Sequence, residues 1–365
     1  MNKKRCEKMF RAVVEACDPA KRVANAISAQ PMKAGDVYGI AVGKAAQAMA
    51  RGAGRVKRGV CVSHYRDAAP LPLGWELYLG AHPVPDESSL VAGDAVIDLV
   101  ASARANDQIL ALISGGASAM IERPAIPFAQ FREEIAAVMS SGASIREINR
   151  ARIQRSLIKG GKLAERSLAP IRTLIVSDVI GDAPEVIGSG PTIAHRERDS
   201  VEVVAPMESA LDAMQLALED DDPKLYIRRL FPLEGDVEHV ARELAALAST
   251  RVVAGGEPTL VVPDDHGEGG RAQHLALLLA RAFAGRGRCA FVVGTDGVDG
   301  PATRGAQTPA GAFVDGRTWE RIRAAGIDPE HALVRRDSST ALRAAGALVV
   351  TGPTGINHGD LVMLG

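Results

Sequence analysis

The chain has 365 residues, about the length of two domains, with 47% hydrophobic and 24% charged residues, the ordinary balance of a globular protein. Lys and Arg number 43 and Asp and Glu 44, so the net charge of -1 removes the electrostatic case for a nucleic-acid binder or a polybasic membrane-surface protein. No uninterrupted apolar run approaches the roughly 18 residues of a membrane span, and Met1-Asn2-Lys3-Lys4-Arg5 leads into Cys6-Glu7-Lys8 instead of an apolar signal core. Cys6, Cys17, Cys61 and Cys289 are scattered without a Cys-x-x-Cys or a Cys/His cluster, which argues against zinc and disulfides. A cytoplasmic protein without nucleic-acid or membrane partners is expected.

Residues 5 to 30 read as an amphipathic helix pair around Pro19. An α/β series follows. Strands are expected at Val37–Val42, Gly59–Ser63 and Glu76–Leu79, a helix at Lys44–Arg51, and a longer helix at Ser88–Ala103. Gln108–Ile113 is a continuous apolar strand, as in the buried middle of a parallel sheet. Helical pattern runs from Phe128 to Arg166 with a break at Gly142, then a strand at Thr173–Val176. Asp199 to Asp222 reads as helix, ending in the turn Asp220-Asp221-Asp222-Pro223. A second series begins near residue 235: helix Val237–Leu247, strand Thr259–Val262, helix Ala272–Ala284, and strands Cys289–Val293 and Ala347–Val350. Alternating strand, loop and helix implies parallel βαβ units, and the division is placed at 1–235 and 236–365.

The chemistry is expected in polar, glycine-rich loops after strand ends, where open α/β sheets bind ligands. Ser114-Gly115-Gly116-Ala117-Ser118 is either a phosphate cradle, with backbone N–H groups approaching an anion, or a tight turn without a ligand. Gly39 to Lys44 fails as a P-loop, because only three residues separate the glycines and Ala45 stands where Ser or Thr should be. What survives is Lys44 at a strand-to-helix turn, as a phosphoryl contact or a surface lysine. Gly267 to Ala272 matches G-x-G-x-x-G/A, but Pro263-Asp264-Asp265-His266 separates it from the strand before it. Arg271 in that run offers a fork of donors for an anion.

Among the acids, Asp178 and Asp182 follow one strand. Asp296 and Asp299 follow another, as Mg²⁺ ligands or as turn formers. His82 lacks a partnered nucleophile and reads as structural or substrate-lining.

Taken in order, Val42-Gly43-Lys44-Ala45, Ala81 to Asp86, Ile113 to Ser118, Ile158-Lys159-Gly160-Gly161-Lys162-Leu163-Ala164, Ser177 to Asp182, Gly188-Ser189-Gly190-Pro191-Thr192, Gly255-Gly256-Glu257-Pro258-Thr259, Thr295 to Pro301 and Thr351 to Gly355 resemble the glycerate 2-kinase family, whose second half is the MOFRL domain. The likeness spans nearly the whole chain. It implies a Rossmann-like parallel-sheet domain and a smaller second α/β domain, with the active site in the cleft between them. It also implies ATP-dependent phosphorylation of D-glycerate at its 2-hydroxyl with Mg2+ as the cation. By the same resemblance Lys44 and Arg271 are the expected catalytic residues, and Asp178 is a further candidate, as base for the acceptor hydroxyl or as a metal ligand. Ser114, Gly115, Gly116, Ala117, Ser118 and Lys159 are the nucleotide contacts, and His82 and Asn357 the substrate contacts. Asp296 and Asp299 are the metal ligands, and a homodimer is the candidate assembly. Members often carry the label hydroxypyruvate reductase, which would need a nicotinamide site.

The chain departs from the family pattern in its second half. Ala272 and His274 stand where Asn and Glu are expected, Ile356 and Gly359 where Thr and Asn are usual, and Ala302-Thr303-Arg304 where Thr-Asp-Ala is usual. These losses favour a rival reading, a non-catalytic hydroxy-acid or sugar-phosphate sensor.

Overall fold

The computed structural model describes residues 1–33, 35–141, 145–179, 181–221, 227–247, 251–300 and 307–365. Gly142, Ile180, Asp222, Pro223 and Pro301 to Arg304 lie outside them. The chain divides into two compact units, Asp18–Pro206, and Met1–Cys17 together with Met207–Gly365.

The unit Asp18–Pro206 holds six strands: β1 (Val37–Val42), β2 (Arg58–Ser63), β3 (Trp75–Leu79), β4 (Gln108–Ser114), β5 (Ile171–Val176) and β6 (Ser200–Ala205). They lie in the order β3-β2-β1-β4-β5-β6, every pair parallel, which is the Rossmann-like order. The two-residue period sorts each central strand onto two cores. Ile40, Val42, Ile109, Ala111 and Ile113 pack with Ala92, Val96 and Leu99 of the helix Glu87–Ser102. Ala41, Leu110, Leu112 and Leu174 pack on the other face with Val23, Ala46 and Met49. Each large side chain fully buried there contributes about 1.5–3 kcal/mol. The helix Glu87–Ser102 starts at Asp86, whose carboxylate accepts from Ser88 N at 2.8 Å within a capping box.

In the second unit the strands are β7 (Ile227–Leu233), β8 (Arg251–Gly256), β9 (Cys289–Gly294), β10 (Gly311–Asp315), β11 (Leu348–Val349) and β12 (Asp360–Leu364). Their order is β11-β10-β9-β12-β8-β7, and only β7 and β8 pair in parallel. The sheet is therefore mixed, not the parallel series expected, because β12 returns antiparallel between β8 and β9.

Two further expectations are corrected. The strand placed at Thr259–Val262 is β8 instead, since Val261 and Val262 are exposed while Val252, Val253 and Ala254 are fully buried. Residues 200–205 form an edge strand, and the helix there spans only Ser209–Asp221. The packing boundary also differs from 235/236. Cys6, Met9, Phe10 and Val13 of the helix Lys3–Ala16 are buried against Leu211, Met214 and Phe291, so the first helix and the segment from Met207 onward join one unit.

Candidate functional site

At the carboxyl edge of the parallel sheet, β1 connects towards β2 and β3 on one side while β4 leads to β5 and β6 on the other. This is a topological switch point, the place where open sheets leave a crevice. The loops leaving β1 and β4 are tied together there. Lys44 N donates to Gly115 O at 2.9 Å, and Ala45 N donates to Ser114 Oγ at 3.1 Å. Gly43, at φ 124°, permits this approach, since a Cβ would overlap the Ser114 hydroxyl and carbonyl. Lys44 is half-buried beside the glycine loop. Gly116 is left-handed at φ 84° and turns the chain into Ala117–Met120, whose first N–H groups have no intrahelical acceptor.

The loop residues divide by exposure. Ser114, Gly115 and Ala117 are buried, and the Ser114 hydroxyl works as a tie between loops, which is not the ligand contact expected of it. Gly116 and Ser118 are partly exposed, and Ser118 Oγ meets Ser189 Oγ at 2.8 Å. His82 stands beside the loop, its Cδ2 only 3.0 Å from where a Cβ on residue 116 would sit. Asp178 is half-buried just beyond β5, on the same edge of the sheet.

Lys159 does not join them. Its side chain is 1% exposed, Nζ lies 2.7 Å from Glu122 Oε2, and it donates to Ile121 O at 2.9 Å. Burial pushes the ammonium below its usual range, with Glu122 pulling the other way. Glu122 is also fixed by Ser156 Oγ at 2.6 Å and Arg123 N at 2.9 Å. The expected nucleotide contact at Lys159 is thus replaced by an internal ion pair.

In the second unit a charged cluster forms where β8 and β9 end and β12 begins. Asp360 pairs in register with Gly256 and Gly294, so its carboxylate sits between the two strand ends. Arg271 opens the helix Arg271–Phe283 and grips Asp360 side-on, Nε to Oδ2 at 2.6 Å and Nη2 to Oδ1 at 3.1 Å. Its Nη1 reaches Glu257 at 3.2 Å. Burial opposes the charge on the guanidinium, but these carboxylates hold its pKa above the ordinary arginine value. Asn357 is buried in the segment leading to Asp360, and neighbouring His358 N donates to Thr295 Oγ1 at 2.8 Å.

Both acids of the expected metal pair accept from backbone N–H groups in this geometry. Asp299 is buried, and its two oxygens accept from Ala272 N at 3.0 Å and Gln273 N at 2.7 Å, capping the helix that Arg271 opens. Burial, with Asp360 nearby, pushes its carboxyl up to about 7 against those two donors. Asp296 accepts from Val298 N at 3.1 Å, an Asx turn. Among the described residues no group of three His, Cys, Asp or Glu side chains is placed to hold a metal ion. The glycine run is not a dinucleotide turn either. β8 ends at Gly256, and the run rests on another loop through Gly267 N to Arg335 O at 2.8 Å and Ser339 N to Glu268 O at 2.9 Å.

The departures from the family pattern fall largely in the core. Ala272, His274 and Ile356 are all buried, so none removes a group from the exposed side of the cluster. His274 Nε2 accepts from Arg336 Nη1 at 2.9 Å. Burial, reinforced by Arg336, pushes the imidazole down to about 3. It stays neutral in the native state, while the unfolded chain takes up a proton below about pH 6.5. Stability should therefore fall as pH drops from 6.5 towards 3. Against His274→Gln, which keeps an acceptor, the wild type is expected to lose about 2–3 kcal/mol more between pH 7 and 4.5. Urea unfolding at the two pH values measures it, and parallel losses would exclude His274 as the source.

Comparison with known proteins matches two family models along the chain. Residues 5–220 match the family described as "Domain of unknown function (DUF4147)", and residues 250–360 match the MOFRL family. A protein named D-glycerate 2-kinase from Thermotoga maritima is 33% identical, covering 89% of this chain and 89% of its own. One named glycerate 2-kinase from Pyrococcus horikoshii is 30% identical over 96% of this chain and 94% of its own. A crystal structure of glycerate kinase from Thermotoga maritima matches with a TM-score of 0.86 at 30% identity, covering 99% of this chain and 98% of that one. With Lys44 tied to the glycine loop and a DUF4147 region followed by MOFRL, the chain belongs to the glycerate 2-kinase family.

Proposed function

We propose that this chain transfers the γ-phosphoryl group of ATP to the 2-hydroxyl of D-glycerate, giving 2-phosphoglycerate and ADP. The observation that carries the reading is the Lys44 N–Gly115 O bond, which sets a lysine against a glycine loop at the switch point of a parallel sheet. Phosphoryl transfer asks a protein mainly for alignment and charge compensation. Lys44 supplies compact positive charge to the transferred group, and N–H groups of residues 116 to 118 hold nucleotide phosphates. Arg271 offers its fork to an oxyanion. Asp178 is the candidate for receiving the hydroxyl proton, and His82 and Asn357 for lining the substrate. Mg²⁺ belongs to the reading as the partner of the nucleotide phosphates, with Asp299 no longer among its ligands.

Cytoplasm is the proposed location, in keeping with four buried, unbridged cysteines, and a homodimer the proposed assembly. Among the described residues no helix is long and apolar enough to cross a membrane. A coupled assay with D-glycerate, Mg²⁺ and ATP is expected to release ADP and 2-phosphoglycerate, while hydroxypyruvate with NADH gives no turnover. NADH consumption without ADP release would reverse the assignment. Tight binding without either product would favour the sensor.

A further inference from the structure

We infer that Asp360 is a positioning residue, gripping one edge of Arg271 so that the end of the guanidinium is held out to a ligand oxyanion. A guanidinium carries five N–H donors in a rigid plane. Asp360 takes the side edge, Nε at 2.6 Å and one hydrogen of Nη2 at 3.1 Å, while Glu257 takes one hydrogen of Nη1 at 3.2 Å. By that count Nη1 and Nη2 each keep one further N–H for a carboxylate or phosphoryl oxygen.

Exposure runs the same way. The Asp360 side chain is 3% exposed, that of Arg271 27% and that of Glu257 48%. The anchor is buried and the outer arm faces water. Asp360 is also rigid at its backbone, because it is the first residue of β12 and is paired on both sides, with Gly256 and with Gly294. Asp299 adds a second constraint by capping the first turn of the helix that carries Arg271. An arginine on a long flexible stem gains most from such a grip, since orienting the fork beforehand removes the entropy of orienting it on binding. Substituting lysine keeps the charge and discards the fork.

The inference rests on the reading that Arg271 contacts the ligand, so both residues are varied. Asp360→Asn is expected to lower kcat/KM for D-glycerate by roughly 10–100-fold with the urea midpoint retained, and Arg271→Lys by at least as much. If Asp360 acts only through Arg271, the double variant falls no lower than Arg271→Lys alone, within about threefold. A purely structural role would multiply the two losses. Should Asp360→Asn fail to fold, Asp360→Glu serves. It keeps the charge but shifts the grip by a methylene, and it should reduce kcat more than it changes the KM for ATP. Folded Asp360→Asn within twofold of wild type, beside an impaired Arg271→Lys, would overturn the inference and leave the reading of the site intact. Multiplied losses would overturn it too. Wild-type kinetics in Arg271→Lys would remove both the inference and Arg271 from the site.

Discussion

Lys44→Ala is expected to lower kcat for D-glycerate phosphorylation by roughly 10²–10⁴-fold, about 3–5 kcal/mol, the range for removing one preorganised charge from a transition state. The lysine backbone is held by Gly115 O at 2.9 Å and the next residue by Ser114 Oγ, so the side chain starts from a fixed point beside the glycine loop. Charge on the transferred group is dispersed over its oxygens in the transition state, and a compact ammonium placed there needs no reorganisation. ATP affinity should change far less, since backbone N–H groups supply most of the ground-state hold. Lys44→Arg should not restore the rate, because a planar fork cannot replace an ammonium at the same depth. Steady-state kinetics of both variants, with circular dichroism for folding, decide it. Folded Lys44→Ala with a near wild-type kcat would take the lysine out of the mechanism.

Lys159→Met should act on stability instead, costing about 3–5 kcal/mol, because it removes the ammonium paired with the buried Glu122 carboxylate and leaves Arg152 as the cation acting on it. Both side chains are at most 1% exposed, so no water can replace the lost ammonium. Glu122 keeps donors from Ser156 Oγ and Arg123 N, which softens the loss without balancing the charge. Adding Glu122→Gln to Lys159→Met should recover most of the stability, since the charge and its absent partner are then removed together. Urea midpoints of the three variants give the comparison. A single variant within about 0.5 kcal/mol of wild type would mean that the pair carries no net stability.

These two lysines show how far the sequence could be read. Both lie in lysine-glycine runs, and both look like phosphate contacts. The place of Lys44 beside the glycine loop could be read because the strand end before it and the loop after β4 are each local patterns. Lys159 loses that appearance to Glu122, a residue 37 positions away that only the fold brings into contact. Asp299 went the same way. Its spacing from Asp296 suits a metal, but the helix N-terminus it caps begins at Arg271, and no local pattern joins the two. Asp360 could not be singled out from the sequence, because its partner Arg271 lies 89 positions earlier.

The fold was legible where strands are buried on both faces. β1, β4 and β9 read as near-continuous apolar runs and β5 as the shorter run Leu174-Ile175-Val176, and all stand close to where they were expected. Thr259–Val262 misled because four β-branched or aliphatic residues follow one another in a loop that leaves Val261 and Val262 exposed. From 311 to 344 the elements are a strand of five residues and three helices of six or seven, too short for either period to show.

Ribosomal synthesis meets the two units in an order that their packing does not follow. The helix Lys3–Ala16 emerges before the unit Asp18–Pro206, yet the surface that covers Cys6, Met9, Phe10 and Val13 begins beyond Met207 and includes Phe291. The unit Asp18–Pro206 is contiguous, so it can close its parallel sheet while the remainder is still being made. Throughout that interval the leading helix travels with an apolar stripe and no partner. On a nascent chain the stripe is a target for chaperones, and at high concentration a seed for aggregation, until the later strands arrive to receive it.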